Sequence, residues 1–219
     1  MPSVVPHRFL FRYSLPIGRI DRLPRKGRKL LNLPAECELP QFGDLDQPEP
    51  FAVLAAAWNK RGLALSATIH GKQHPPSCSA ATPAESDGLQ VWVDTRNTQS
   101  IHRASRFCHH FCALPTGGGP KSDRPLAVQL PTARATEDSP IADPSALPVA
   151  SEMLADGYRV ELWLPADVLT GYDPEANPRL GFYCYLFDSE LGEQFLSVGR
   201  EFPFAHDPSL WSTLELEDN

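Results

Sequence analysis

The chain of 219 residues has 42% hydrophobic and 21% charged residues, an ordinary composition for a soluble globular protein, and its length fits one large all-β domain better than two. No apolar run reaches the length of a membrane span or of a signal-peptide core, so we expect a cytoplasmic protein with no membrane association. The net charge of −7 conceals an asymmetry, because residues 1–34 hold eight basic residues and one acidic residue.

This basic N-terminal arm has two interpretations. It binds an acidic partner such as an acidic protein or a nucleic acid, or it lies against the acidic remainder of its own chain. We favour the second interpretation because the arm lacks the interleaved aromatic residues of RNA-binding platforms, and we do not expect nucleic-acid binding. An acidic protein partner for the arm, together with a long loop further along the chain, stays an alternative function.

The 23 prolines are about twice the usual ~5% of residues. Since proline is excluded from helices and central strands, they predict many loops between short strands. No long stretch has a helical period, and the pattern is that of a β-sandwich or barrel. We predict an extended, basic, proline-rich segment over residues 1–50 and an antiparallel β-sandwich domain over residues 51–219, with a long loop at 115–148.

Turn residues divide the sandwich into short strands and hairpins. The predicted elements in chain order are a hairpin of residues 51–58 and 63–70, strands at 87–96 and 107–114, the loop at 115–148, a hairpin of 147–154 and 158–165, a short helix at 166–169, a hairpin of 180–187 and 194–202, and a last strand at 210–216.

The strand that opens at Asp87-Gly88 has the clearest alternation of the chain. Leu89, Val91 and Val93 share one face, because successive side chains of a strand point to opposite sides. The other face carries Gln90, Trp92 and Asp94. A tryptophan between an amide and a carboxylate suggests ligand contact.

Two later strands repeat this arrangement of an aliphatic face and a face with aromatic and charged residues. If the three strands are neighbours in one sheet, they form a platform on which a sugar would stack and form hydrogen bonds. The predicted ligand-binding residues are Gln90, Trp92, Asp94, Arg159, Glu161, Trp163, Tyr183 and Tyr185. In the alternative, the loop at 115–148 or the N-terminal arm covers this face, and the tryptophans belong to a second small core.

Two of these strands resemble family 9 carbohydrate-binding modules. The matching stretches are Ser86-Asp87-Gly88-Leu89-Gln90-Val91-Trp92-Val93-Asp94 and Gly157-Tyr158-Arg159-Val160-Glu161-Leu162-Trp163-Leu164-Pro165. The resemblance extends in outline over residues 50–216. It implies a jelly-roll-like sandwich, a carbohydrate or other small polar ligand held by aromatic rings, and no catalysis. The calcium sites of that family cannot be traced here, and we expect no cofactor.

A cluster of thiols and imidazoles offers a metal-binding alternative. On a strand, Cys108, His110 and Cys112 share one face and carry donor atoms that suit zinc. Donors ~6–7 Å apart on one strand fit a tetrahedral site poorly, so we favour buried free cysteines. Asp94 and Glu161 are a weak candidate for a glycosidase-like carboxylate pair, and we expect no catalytic residue.

Overall fold

The computed structural model describes residue 9 and residues 11–25, 30–40 and 49–218, and over this part of the chain the protein is an all-β sandwich. Its regular elements there are eleven strands and short 3-10 turns, without an α-helix. The predicted antiparallel sandwich is therefore confirmed. No helix in these residues is long and apolar enough to cross a membrane.

The strands form two sheets. Their bounds are β1 (Ser14–Gly18), β2 (Ala52–Asn59), β3 (Gly62–His70), β4 (Gly88–Asp94), β5 (Cys108–Gly118), β6 (Arg124–Leu130), β7 (Val149–Leu154), β8 (Gly157–Pro165), β9 (Arg179–Asp188), β10 (Gly192–Phe195) and β11 (Ser212–Glu217). Sheet A has the order β1-β11-β9-β4-β5-β6, and β10 also pairs with β9. Sheet B has the order β2-β3-β8-β7. All strand pairs are antiparallel except β1 with β11.

The predicted hairpins are present. The β2–β3 turn closes between Asn59 and Gly62. Gly62 has a φ of +151°, and a Cβ atom there would lie 2.1 Å from the carbonyl oxygen of Leu164, so the tight turn requires glycine. The β7–β8 turn closes between Leu154 and Gly157, at the predicted Asp156-Gly157 signal. β9 and β10 form the third hairpin, which is shorter than predicted.

The prediction of a long loop at residues 115–148 is wrong over its first half. β5 continues to Gly118, and β6 follows at Arg124–Leu130. The glycines after Thr116 and the proline at position 125 indicated a loop. β6 is the edge strand of sheet A, and a proline is tolerated there because no described strand pairs with its outer side. The predicted helix at residues 166–169 is also wrong, because this stretch consists of turns.

The main core lies between the sheets. It takes the aliphatic face of each strand, including Leu89, Val91 and Val93 from β4 as predicted. Tyr158, Phe111 and Phe182 add fully buried rings between the sheets. Burial of this apolar surface is the main driving force for bringing the two sheets together.

Segments from both ends of the chain cover the outer faces of the sandwich. The N-terminal strap, defined as residues 20–25 and 30–40, buries Leu23, Leu31 and Cys37 against the outer face of sheet B. The C-terminal cover, defined as residues 196–211, buries Val198 and Phe204 against the outer face of sheet A. The sandwich therefore has two small outer cores beside its central one.

A buried ammonium group joins the ends of three strands. Lys72 follows β3, and its Nζ lies 3.1 Å from Asp87 Oδ2 and 2.7 Å from Asp188 Oδ1. Burial acts to lower the pKa of Lys72, but the hydrogen bonds to the two carboxylates outweigh it and raise the pKa overall. The charged lysine thus fixes the start of β4 to the end of β9.

Candidate functional site

The predicted platform is divided between the two sheets. Gln90, Trp92 and Asp94 lie on β4, and they pair in register with Tyr185, Tyr183 and Gly181 of β9 in sheet A. Arg159, Glu161 and Trp163 lie on β8, which pairs with β3 and β7 in sheet B. The two groups face outward on opposite sides of the sandwich. The prediction of one shared platform is therefore wrong.

The sheet A group is buried under the C-terminal cover. Trp92 is 2% exposed, and its ring stacks on His110 at a centroid distance of 4.1 Å. Tyr183 stacks on Phe204 at 4.5 Å and donates a hydrogen bond to the carbonyl oxygen of Val198. Tyr185 donates to Glu193 Oε1 at 2.6 Å. These rings form the core of an outer layer and have no open face for a sugar.

The polar residues of this group also have structural partners. Gln90 Nε2 donates to the carbonyl oxygen of Ala84 at 2.9 Å. Asp94 accepts hydrogen bonds from the backbone N–H groups of Arg96 at 2.9 Å and Thr98 at 2.6 Å, and so holds the turn that follows β4. Burial raises the pKa of Asp94 above its usual value, against the effect of these hydrogen bonds.

The N-terminal strap covers the sheet B group. Glu161 accepts hydrogen bonds from the backbone N–H groups of Leu31 at 3.0 Å and Asn32 at 2.7 Å. Trp163 is 3% exposed against the strap. Arg159 is the one member of the eight predicted residues with substantial accessible surface, its side chain being 34% exposed. Ligand contact by the eight residues stays a prediction. Their packing is that of the alternative interpretation, in which other segments of the chain cover the face.

The structure also bears on the two other sites considered from the sequence, the zinc site and the carboxylate pair. Cys112 Sγ lies 3.9 Å from His110 Nε2, and among the described residues no three His, Cys, Asp or Glu side chains converge to hold a metal. Burial raises the pKa of Cys108 and Cys112 to about 12, as expected for free cysteines packed in a core. The described residues therefore give the zinc alternative no support. Asp94 and Glu161 lie on different sheets and cannot act as a carboxylate pair.

An open cleft with aromatic walls lies between the N-terminal segment and the C-terminal cover. This aromatic cleft has a volume of about 340 Å³. Its walls are formed by Phe9, Phe11, Arg12, Tyr13, His102, Ser197, Val198, Ser209, Leu210, Trp211 and Ser212. Phe9 stacks on Phe202 at 4.4 Å with an interplanar angle of 7°, which fixes the ring at the rim. Phe11 is 57% exposed and lies 6.4 Å from the ring of Tyr13.

The polar wall of the aromatic cleft is built around His102. His102 Nδ1 lies 3.1 Å from Asp207 Oδ2 and 3.2 Å from Ser209 Oγ, and Ser209 Oγ donates to Asp207 Oδ1 at 2.6 Å. A catalytic serine–histidine–aspartate relay needs the serine and the aspartate on opposite nitrogens of the ring. Here both lie at Nδ1, so the cluster provides hydrogen-bonding groups rather than an activated nucleophile.

A second, more polar cleft of about 290 Å³ lies next to the first and shares Arg12 and Tyr13 with it. Arg12 Nη1 donates to Gln99 Oε1 at 2.7 Å, and Gln99 Nε2 donates to Thr213 Oγ1 at 2.6 Å. The other lining residues of this polar cleft are Tyr13, Ser14, Asn97, Arg179 and Glu215.

Sequence reasoning did not identify the residues of these two clefts. Phe9 and Phe11 are absent from the predicted ligand-binding residues, although they are 44% and 57% exposed. The sequence signal for the aromatic wall was the pair Phe9 and Phe11, which Arg8 and Arg12 flank, because this run places aromatic and basic side chains close together. His102 and Ser209 are far apart in the sequence, and only the fold brings them together.

The comparisons with known proteins identify the fold. No family model matches the chain, and no curated protein is similar to it in sequence. A family 9 carbohydrate-binding module from Caldicellulosiruptor kristjanssonii in complex with cellotriose matches with a TM-score of 0.60 and 14% identity over 94% of this chain and 95% of that chain. The same type of module in complex with glucose gives a TM-score of 0.61 and 13% identity over 94% of this chain and 97% of that chain.

A candidate carbohydrate-binding protein from Bacteroides uniformis matches with a TM-score of 0.59 and 14% identity, over 94% of this chain and 100% of that chain. The likeness extends over nearly the whole of each protein. The chain therefore has the fold of family 9 carbohydrate-binding modules, as the resemblance of its two strands implied.

Proposed function

We propose that the protein is a non-catalytic carbohydrate-binding module whose ligand lies in the aromatic cleft. The observation that carries the proposal is the exposed ring of Phe11 beside the hydroxyl and imidazole groups of Ser209 and His102. Sugars present C–H faces to aromatic rings and hydroxyl groups to short polar side chains. The cleft offers both kinds of surface within one depression.

Two further observations support this function. The similar solved structures include modules in complex with cellotriose and with glucose. The volume of the cleft, about 340 Å³, falls within the usual range of about 300–1,000 Å³ for small-molecule sites. The arrangement of His102, Asp207 and Ser209 provides no activated nucleophile, which favours binding over hydrolysis.

The proposal replaces the predicted platform with a different aromatic surface. The rings of Trp92 and Trp163 are packed in the outer cores, so a ligand would have to displace the C-terminal cover or the N-terminal strap to reach them. Phe11 needs no such movement. Binding in the cleft is therefore compatible with the folded chain as it stands.

Calorimetric titration with glucose, cellotriose and a panel of other oligosaccharides tests the function. We expect at least one glycan to bind, and we expect Phe11→Ala to weaken its affinity about tenfold or more, which corresponds to about 1.4 kcal/mol. Because Phe11 is exposed, the melting temperature should change little.

Met153→Ala is the matched control, since Met153 is a 50% exposed apolar residue on β7 of the other sheet. It should leave binding unchanged. The proposal is wrong if no glycan binds, or if Phe11→Ala binds as tightly as the unaltered protein.

A further inference from the structure

The aromatic cleft and the polar cleft are adjacent, because Arg12 and Tyr13 line both, and the two together are called the groove. The aromatic part offers the ring of Phe11, and the polar part offers Asn97 and Thr213. A single sugar ring would occupy one part only. A ligand that uses the whole groove is therefore an oligosaccharide of at least two residues.

Arg12 stands at the junction of the two clefts with its charge uncompensated. Its hydrogen-bond partner is the neutral side-chain carbonyl of Gln99, at 2.7 Å, and no carboxylate in the described part of the chain forms an ion pair with it. The nearby Arg179 differs, because its Nε lies 3.5 Å from Glu215 Oε1. Glu215 also accepts a hydrogen bond from Ser14 Oγ at 3.2 Å. The two charges at positions 179 and 215 thus neutralise each other, and Arg12 contributes the remaining positive charge among the residues that line the polar cleft.

The charge of the whole N-terminal segment has the same sign. Residues 1–34 hold eight basic residues and one acidic residue, while the rest of the chain is strongly acidic. One wall of the groove comes from this basic segment, and its lining residue Arg12 places a positive charge next to any carboxylate bound there. A neutral sugar would gain nothing from this distribution of charge.

We propose that the groove prefers an anionic oligosaccharide, such as one built of uronic acids, and that Arg12 receives a carboxylate of the ligand. The inference rests on the proposed function and adds the class of sugar. The guanidinium group has a planar set of donors that matches a carboxylate, and such a pair is stronger than a hydrogen bond between neutral groups. Phe11 would stack on the neighbouring ring of the same ligand.

The test compares an acidic and a neutral trisaccharide by calorimetry: trigalacturonate and cellotriose, each at about 20 mM and about 300 mM salt. We expect trigalacturonate to bind about tenfold more tightly at low salt and to lose most of that advantage at high salt, since screening weakens exposed charge pairs. Cellotriose should show little dependence on salt.

Arg12→Gln should abolish the preference for the acidic sugar, because it should weaken the binding of trigalacturonate much more than that of cellotriose. Arg22→Gln is the matched control, because Arg22 is an exposed arginine of the same segment that does not line the groove, and its loss changes the net charge equally. It should retain the preference. Arg12→Lys should keep part of the salt dependence.

Equal affinity for the two trisaccharides overturns the inference and leaves the proposed function intact. Equal loss of preference in Arg22→Gln and Arg12→Gln also overturns it, because the effect would then come from overall charge rather than from Arg12. If no glycan of either class binds, the proposed function itself is wrong and the inference fails with it.

Discussion

Trp92 and Trp163 show how the surroundings of a residue decide its role. Each alternates with charged or amide side chains along its strand, which predicted a solvent-facing ring. Each is nevertheless buried, Trp92 by Phe204 and Trp163 by Leu23 and Leu31. The polar neighbours Gln90, Asp94 and Glu161 are buried too, because backbone groups of covering segments and turns form hydrogen bonds with them, as residues 31 and 32 do with Glu161.

The burial of these two rings predicts the effect of removing them. Trp92→Ala and Trp163→Ala should each lower the free energy of unfolding by about 3–5 kcal/mol, the usual cost of deleting a buried aromatic ring. Chemical denaturation measures this change. Phe11→Ala, which removes an exposed ring, serves as the control and should cost less than ~1 kcal/mol. Tryptophan variants as stable as the control would mean that the outer layers do not pack in solution as they do here.

At the scale of elements, β5 places two histidines inside the protein. Burial lowers the pKa of His109 to about 4 and that of His110 to about 3. His110 lies between the ring of Trp92, the amide of Gln90 and the thiol of Cys112, none of which carries a charge at neutral pH. Protonation of either histidine is therefore unfavourable while β5 is folded.

Because His109 and His110 are buried, we predict that the protein loses stability in mild acid. Histidines of the unfolded chain titrate near 6.5, so between about pH 6.5 and 4 the unfolded state binds protons that the folded state excludes. Stability should be fully present above pH 6.5 and fall as the pH drops, by about 1.4 kcal/mol per pH unit for each buried histidine. Denaturation at pH 7.5, 6.5, 5.8 and 5.0 measures the slope in a range where few carboxylates titrate.

Two variants test whether the buried histidines of β5 cause this dependence of the unfolding free energy on pH. His110→Gln should reduce the slope by about half, because one of the two buried titrating groups is gone. Met153→Ala, which alters a 50% exposed residue without removing a titrating group, should leave it unchanged. A slope that is flat in the unaltered protein, or equal in all three proteins, contradicts the explanation.

For the whole molecule, local signals in the sequence identified most strands but could not predict what covers the sheets. Alternating apolar residues and turn pairs such as Asp156-Gly157 are adjacent in the chain, so the β2–β3 and β7–β8 hairpins follow from the sequence. The division of β4 and β8 between two sheets depends on pairings between distant strands. The clefts combine Phe11 with His102 and Ser209, a juxtaposition that no local pattern encodes.

The N-terminal segment is a structural part of the sandwich over the residues described. Removing residues 1–40 takes away β1 and the strap, exposes Trp163 and leaves Glu161 without its backbone donors. We expect such a variant to aggregate or to lose cooperative thermal unfolding, as measured by circular dichroism and size-exclusion chromatography. Arg22→Gln should behave like the unaltered protein. Cooperative unfolding of residues 41–219 at an unchanged temperature would instead support a separate domain that begins near residue 50.

The pairing of β1 with β11 also determines when the clefts come into existence. Among the described strands β1 pairs with β11 alone, and Ser14 lies opposite Thr213. Contacts between such distant residues form late, because a large loop must close first. During synthesis, Leu15 and Ile17 leave the ribosome well before their partner strand β11 is made. The groove that Arg12 and Phe11 share with Trp211 and Thr213 is therefore absent from the growing chain until β11 has been translated.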